Sequence, residues 1–99
     1  MVTLQVKKLT TLAQKSKGLI GANPVYPVSF TTRWGIHTFG MKSAIDVVIL
    51  DKGNCVVKLA EHLVPNRIFL WNPTYQQVLE LPPGTIKEKK INVGDPITL

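Results

Sequence analysis

The chain contains only one cysteine, Cys55, and no long run of apolar residues. A single cysteine excludes an intrachain disulfide, so the sequence carries no sign of an oxidising compartment, and we interpret Cys55 as a small core residue. The first residues, M-V-T-L-Q-V-K-K, lack the basic-then-apolar order of a signal peptide, and no stretch of about 18 apolar residues could form a membrane span. We therefore expect a soluble, cytoplasmic protein.

Acidic residues are absent from the first part of the chain. Residues 1 to 45 contain six basic residues and no Asp or Glu, whereas residues 46 to 99 contain six of each. Such an excess can mark a surface for nucleic acid or an anionic membrane, and aromatic side chains of the same half could stack on bases: Tyr26, Phe30, Trp34 and Phe39. The lysines form no dense cluster or nucleic-acid motif. We favour scattered, solvated lysines and keep an electrostatic binder of nucleic acid or an anionic surface as an alternative.

Helical periodicity is brief, and alternation of apolar and polar residues separated by Gly and Pro turns dominates. With 99 residues, of which 44% are hydrophobic and 18% charged, the chain can form one globular domain over residues 1–99. The clearest strand, Ala44 to Leu50, is apolar on both faces and should be central. A hairpin loop at residues 51–54 should lead into a partner strand from Cys55 to Glu61. We predict a mainly β fold, an antiparallel sandwich or barrel with one or two short helical turns.

Two helical segments are predicted. Apolar positions between Leu9 and Ile20 suggest a short helix or an irregular arm. Near the end of the chain, T-I-K-E at residues 85–88 matches a capping box, in which the Thr85 side chain accepts from the backbone of Glu88. We therefore predict a helical turn that is capped by its own Thr85.

Asp46 is the anomaly of the central strand, because an ionised carboxylate in a covered strand is costly unless it is hydrogen-bonded or paired. One interpretation is that Asp46 accepts bonds that fix the fold. The other is that Trp34, His37, Met41 and Asp46 line a pocket that binds a small polar ligand or a short peptide. The first interpretation is favoured, and the second places the candidate site.

Catalysis has little support in the sequence, because no serine or cysteine lies in a nucleophile elbow. The candidate metal ligands, His37, Met41, Asp46, His62 and Glu80, have no recognised spacing, and Glu80 between Leu79 and Leu81 should face solvent or an edge. We expect no cofactor and a binding module that takes a small ligand or a protein partner, rather than an enzyme. Metal-assisted hydrolysis is kept as a further alternative.

The run Ile68-Phe69-Leu70-Trp71 is either core or an interaction patch. Packing in the core is favoured. If one face stays exposed, Phe69 or Trp71 would contact a partner or a second copy of the chain.

Five segments together carry a family resemblance: K-G-L-I-G at 17–21, I-H-T-F-G-M at 36–41, I-D-V-V-I-L-D at 45–51, V-L-E-L-P-P-G-T at 78–85 and I-N-V-G-D at 91–95. In order and spacing they resemble the prokaryotic family known as domain of unknown function 192. The resemblance implies a jelly-roll-like β-sandwich and supplies no established activity. Ala22 stands where the family usually has an arginine, and the loop from Asn23 to Arg33 is shorter than usual.

Overall fold

The computed structural model describes residues 2–10 and 25–99. Within them lie the strands β1 (Val2–Thr3), β2 (Lys7–Lys8), β3 (Val28–Thr31), β4 (Gly35–His37), β5 (Ile45–Leu50), β6 (Val56–Leu63), β7 (Ile68–Leu70), β8 (Gln77–Leu81) and β9 (Ile97–Thr98), and the helix α1 (Thr85–Lys89). Most of the predicted segment from Leu9 to Ile20, the motif at residues 17–21 and Ala22 lie outside the described residues. Among the described residues, no helix has the length and apolar character needed to cross a membrane.

A five-stranded sheet in the order β2-β3-β8-β5-β6 forms the centre of the molecule. All its neighbouring strands are antiparallel except β2 and β3, which are parallel. All six residues of β5 are buried, because the sheet is covered on both faces. The predicted central strand and the mainly β fold class are confirmed, and the described sheets do not close into a barrel.

Different elements cover the two faces of the sheet. On the first face, a cluster that includes Phe30, Val47 and Val78 packs against Trp71 and Met41, with Ile36 and Phe69 at its margin. On the second face, Val48, Leu50 and Leu79 pack with Ile86 of α1, Ile91 and Ile97. The pair β4-β7 therefore lies over the first face, while α1 and the parallel pair β1-β9 lie over the second.

The predicted hairpin between β5 and β6 is confirmed. The Asp51 Oδ1 accepts hydrogen bonds from the amides of Gly53, at 2.8 Å, and Cys55, at 2.9 Å, and Asn54 adopts a positive φ of 61°. A short side-chain acceptor followed by a residue that tolerates the left-handed region stabilises such a turn. Cys55 itself is half-buried.

The predicted capping box of α1 is wrong. Gly84, with φ 91°, is the N-cap residue and makes no side-chain cap bond, while the Thr85 hydroxyl donates to the Pro82 carbonyl at 2.7 Å. The first turn is instead bonded by Asp46, whose Oδ2 accepts from the Ile86 amide at 2.8 Å. The Ile86 N–H, which has no acceptor within the helix, is therefore bonded by the Asp46 carboxylate, forty positions away in sequence.

The prediction that Glu80 faces solvent or an edge is also wrong. Glu80 is 5% exposed, and it lies opposite Val28 on one side and Val47 on the other. Alternation with Leu79 and Leu81 carries no information about exposure here, because β8 lies between β3 and β5 and both of its faces are covered.

Candidate binding surface

The pair β4-β7, hereafter the ribbon, has one face toward the core and one toward solvent. Its antiparallel register places Ile36 opposite Phe69, Gly35 opposite Leu70 and His37 opposite Ile68. Residues directly opposite each other share a face. Ile36 and Phe69 pack on the core, so His37, Ile68 and Leu70 belong to the outer face.

The outer face and the segments on either side of β4 carry large apolar side chains that are exposed to solvent. Trp34 is 67% exposed, Ile68 63%, Leu70 61% and Phe39 47%. We call these four residues and His37 the ribbon surface. The His37 and Phe39 rings stack at 5.2 Å with an interplanar angle of 24°. Of the seven large hydrophobic side chains that are exposed in the described part of the chain, four lie here, and clustering of this kind is typical of an interaction site.

Buried hydrogen bonds hold the ribbon in place from beneath. Thr38, which is 1% exposed, donates its hydroxyl to the Val64 carbonyl at 2.7 Å and accepts from the Arg67 amide at 2.8 Å. The Trp71 amide donates to the Trp34 carbonyl at 2.9 Å, and its indole Nε1 donates to the Tyr75 carbonyl at 2.7 Å. The side chains beneath the ribbon therefore belong to the apolar core, and the buried polar groups among them are hydrogen-bonded.

Gly35 permits close packing of the two ribbon strands. A Cβ at this position would lie 2.6 Å from the Phe69 carbonyl oxygen and 2.6 Å from Cδ2 of Leu70. Any other residue would push the Leu70 side chain away and strain the backbone. The absence of a side chain at Gly35 thus allows the Leu70 side chain to pack directly against the backbone of β4.

Basic groups border the ribbon surface. Arg33 and Arg67 immediately precede Trp34 and Ile68, and both are exposed. The Lys58 Nζ donates to the Leu70 carbonyl at 2.6 Å and lies 4.9 Å from the Phe69 ring centroid. Segments 25–45 and 62–79, which supply the ribbon and its flanks, contain no Asp or Glu.

The four predicted pocket residues occupy different places. Trp34 and His37 lie on the ribbon surface, and Met41, 8% exposed, packs in the core cluster under the ribbon. Asp46 is fully buried and lies opposite Leu81, which belongs to the cluster on the other face. The structure thus brings Trp34 and His37 to one surface, with Met41 beneath it and Asp46 apart.

Asp46 contacts backbone groups at two distant points of the chain. Its Oδ1 accepts from the His62 amide at 2.9 Å and its Oδ2 from the Ile86 amide at 2.8 Å. The register of β6 shifts opposite Asp46, between Ile45 and Val47, and His62 adopts a φ of 53°. This irregularity turns the His62 N–H toward the carboxylate instead of the ladder.

The sequence interpretation missed Ile68 and Leu70. Core packing of the run 68–71 was favoured, and it holds for Trp71, which is 7% exposed, and for Phe69, which is partly buried against the core. Phe69 or Trp71 was named for the case that one face is exposed, but the exposed side chains are those of Ile68 and Leu70. Alternation along the strand identifies the two sets that share a face but not which set is inside. The long-range pairing with β4 decides this.

A cleft of about 610 Å³ lies at β2 and β3, and its polar lining is formed by Lys8, Thr10, Ser29, Thr31, Asn54 and Gln77. Gln77 Nε2 donates to Asn54 Oδ1 at 2.8 Å along its wall. None of the four predicted pocket residues lines it. In the part of the chain that the structure describes, no three His, Cys, Asp or Glu side chains form a metal-binding group.

Comparisons with known proteins agree with the family resemblance. The model of the family described as DUF192, Uncharacterized ACR, matches residues 1–99. A UPF0127 protein of Pyrococcus abyssi is 33% identical over an alignment of 90 residues, and the match covers 85% of this chain and 76% of the relative.

Two solved structures share the fold. A proposed transcription regulator from Sinorhizobium meliloti has a TM-score of 0.84 and 20% identity, over 94% of this chain and 79% of that one. A protein of unknown function from Novosphingobium aromaticivorans has a TM-score of 0.77 and 17% identity, over 95% of this chain and 71% of that one. At these identities the likeness concerns the fold alone.

Proposed function

We propose that this chain, which belongs to the DUF192 family of unknown biochemical function, is an interaction module that binds a polypeptide on the ribbon surface. The observation that carries this proposal is the exposure of Ile68 and Leu70, at 63% and 61%, beside exposed Trp34 and Phe39. Burial of such side chains against a partner supplies the main favourable free energy of most associations. Trp34 and His37 would contact the partner, while Met41 and Asp46 would act only through the fold.

The hydrogen bonds that anchor the ribbon to the rest of the fold favour binding at this surface. The bonds of Thr38 and the Trp71 indole fix the ribbon before any partner arrives. Less conformational entropy is then lost on association, which raises affinity for a given buried area. The segments that form the ribbon and its flanks contain no Asp or Glu that could pair with His37 as an acid and base, so binding suits this surface better than catalysis.

The electrostatic alternative is supported by the two exposed lysines of β2, Lys7 and Lys8. The Sinorhizobium meliloti neighbour is described as a proposed transcription regulator, a role that would require contact with nucleic acid or with another protein. Electrostatic binding of nucleic acid would not require the aliphatic side chains Ile68 and Leu70. Substitution of these two residues therefore separates the two functions.

The test is a selection of peptides from a random display library on the immobilised wild-type chain. Binding of the selected peptides is then measured on the double variant Ile68→Ser/Leu70→Ser and on Val93→Ser, whose side chain is also 63% exposed but lies between α1 and β9. We expect the double variant to lose at least about tenfold in affinity, because two apolar contacts are removed. Val93→Ser should bind as the wild type does.

Both variants should remain folded, because substitutions of exposed side chains change the free energy of unfolding by about 0.5 kcal/mol or less. Urea unfolding monitored by circular dichroism checks this. Selected peptides that bind the double variant as tightly as the wild type would contradict the proposal, as would a selection that yields no binding peptide.

A further inference from the structure

We infer that the partner segment recognised by the ribbon surface is acidic as well as apolar, with carboxylates placed between large hydrophobic side chains. This inference rests on the proposed function and adds the chemistry of the partner. It follows from the distribution of charge around the ribbon, which is uneven in a way that the net charge of +6 does not reveal.

Most carboxylate side chains of the described residues are either bonded to backbone amides or buried. Asp46 is bonded to the amides of His62 and Ile86, Asp51 to those of Gly53 and Cys55, and Asp95 to that of Asn92. Glu80 is buried in the central sheet. The exposed carboxylates are those of Glu61 in β6 and Glu88 in α1, and neither belongs to the segments that form the ribbon.

Cations, in contrast, occur in and next to the ribbon. Arg33 and Arg67 are exposed and directly precede Trp34 and Ile68 in the chain, and the Lys58 Nζ donates to the Leu70 carbonyl and lies 4.9 Å from the ring centroid of Phe69. Each exposed ion pair with a partner carboxylate would contribute little alone, but several pairs around an apolar centre act together and favour one partner over others. Cations of this kind would form the polar rim of an interface whose centre is hydrophobic.

A second copy of this chain is a poor occupant of the same surface. Two ribbons placed face to face would bring Arg33, Lys58 and Arg67 of both copies together without an intervening carboxylate. Like charges across an interface are unfavourable and suppress such a pairing. Nucleic acid would supply the negative charge but would leave the aliphatic side chains of Ile68 and Leu70 without apolar partners, since stacking on bases uses aromatic rings.

The test compares three fluorescein-labelled peptides of equal length, each with Leu, Phe and Trp at the same alternating positions and with Glu, Gln or Lys between them. Labelled oligothymidine of the same length is the nucleic-acid probe. Anisotropy titrations are carried out from low to physiological ionic strength. The proteins are the wild type, Ile68→Ser/Leu70→Ser, Arg33→Glu/Arg67→Glu, and a charge-matched control, Lys87→Glu/Lys89→Glu, in α1 on the opposite face of the sheet.

We expect the Glu peptide to bind the wild type about tenfold more tightly than the Gln peptide at low ionic strength, an effect of a few ion pairs acting together. The preference should shrink as salt screens the charges. Arg33→Glu/Arg67→Glu should lose the preference while its affinity for the Gln peptide is unchanged. The control in α1 should keep the preference, although its net charge changes equally.

Equal binding of the Glu and Gln peptides would overturn the inference and leave the proposed function standing. Loss of the preference in the α1 control would show an effect of net charge alone and would also overturn it, as would tighter binding of oligothymidine that depends on Arg33 and Arg67. Self-association of the wild type that Ile68→Ser/Leu70→Ser abolishes would identify a second copy as the occupant instead. Binding of no peptide would contradict the proposed function as well.

Discussion

Strand β5 and the ribbon differ in what a polar side chain does within them. In β5 all six residues are buried, and the one carboxylate, Asp46, accepts two backbone N–H groups from other elements. In the ribbon only one face is covered, so His37 and its apolar neighbours remain in solvent. The same seventeen-residue stretch, Gly35 to Asp51, therefore contains a polar group that serves the fold and another that is available to a partner.

The largest effect should come from Asp46→Leu. This substitution removes both acceptors and leaves the buried amides of His62 and Ile86 without a partner, so we expect a loss of about 4 kcal/mol in the free energy of unfolding. Asp46→Asn keeps one acceptor oxygen but turns an NH₂ group toward the other amide, and we expect a loss of about 2 kcal/mol. Urea unfolding of the three proteins measures both values. Equal stability of the Leu and Asn variants would contradict the role of Asp46 as a double acceptor.

An intermediate effect is expected from Thr38→Val, which removes the buried hydroxyl group that bonds the segment after β4 to the segment before β7. The variant keeps the shape of the side chain but leaves the Arg67 amide and the Val64 carbonyl without their bonds, which should cost about 2 kcal/mol. Thr38→Ser keeps the hydroxyl and removes one methyl group, so it should cost about 1 kcal/mol. Urea unfolding is again the measurement. If the serine variant were the less stable of the two, packing of the methyl group would outweigh the hydrogen bonds.

A smaller effect than that of Asp46→Leu or Thr38→Val should come from Gly35→Ala, and it should be confined to the ribbon. The added methyl group would meet the Phe69 carbonyl and the Leu70 side chain, so we expect a loss of about 1.5 kcal/mol. Hydrogen exchange should accelerate at the Trp71 amide and stay unchanged in β5. The matched control is Gly53→Ala, whose Cβ would lie 3.4 Å from Asp51 Oδ1, an ordinary contact. Equal losses of stability in the two glycine variants would contradict a specific role of Gly35. Faster hydrogen exchange throughout β5 would show that the ribbon and the central sheet do not open independently.

Local patterns predicted the parts of the fold that depend on local interactions. The apolar run of β5 identified the central strand, and the composition of residues 51–54 identified the hairpin loop. Local reasoning failed where a distant group competes with a neighbour. The first turn of α1 is bonded by Asp46 instead of Thr85, and Glu80 is buried because strands from elsewhere in the chain flank it.

The candidate surface was only partly predictable for the same reason. Trp34 and His37 were named from the sequence and belong to the ribbon surface. They cannot line one pocket with Asp46, because the Asp46 side chain points to the second face of the central sheet and the ribbon covers the first. The contribution of Ile68 and Leu70 depends on the register of β7 against β4. Register is set by pairing across more than thirty positions of sequence, from His37 to Ile68, and no local pattern specifies it.

The two bonds of Asp46 have a consequence for how the molecule opens. They join β5 to residues sixteen and forty positions away, in β6 and α1. If α1 detached alone, Asp46 Oδ2 would lose its hydrogen bond while Oδ1 stayed bonded to the His62 amide. If β6 detached alone, Oδ1 would lose its bond while Oδ2 stayed bonded to the Ile86 amide. The helix α1 and the edge strand β6 should thus open as one cooperative unit, because the Asp46 side chain is bonded to both of them. A single carboxylate makes two separate parts of the surface lose their structure together.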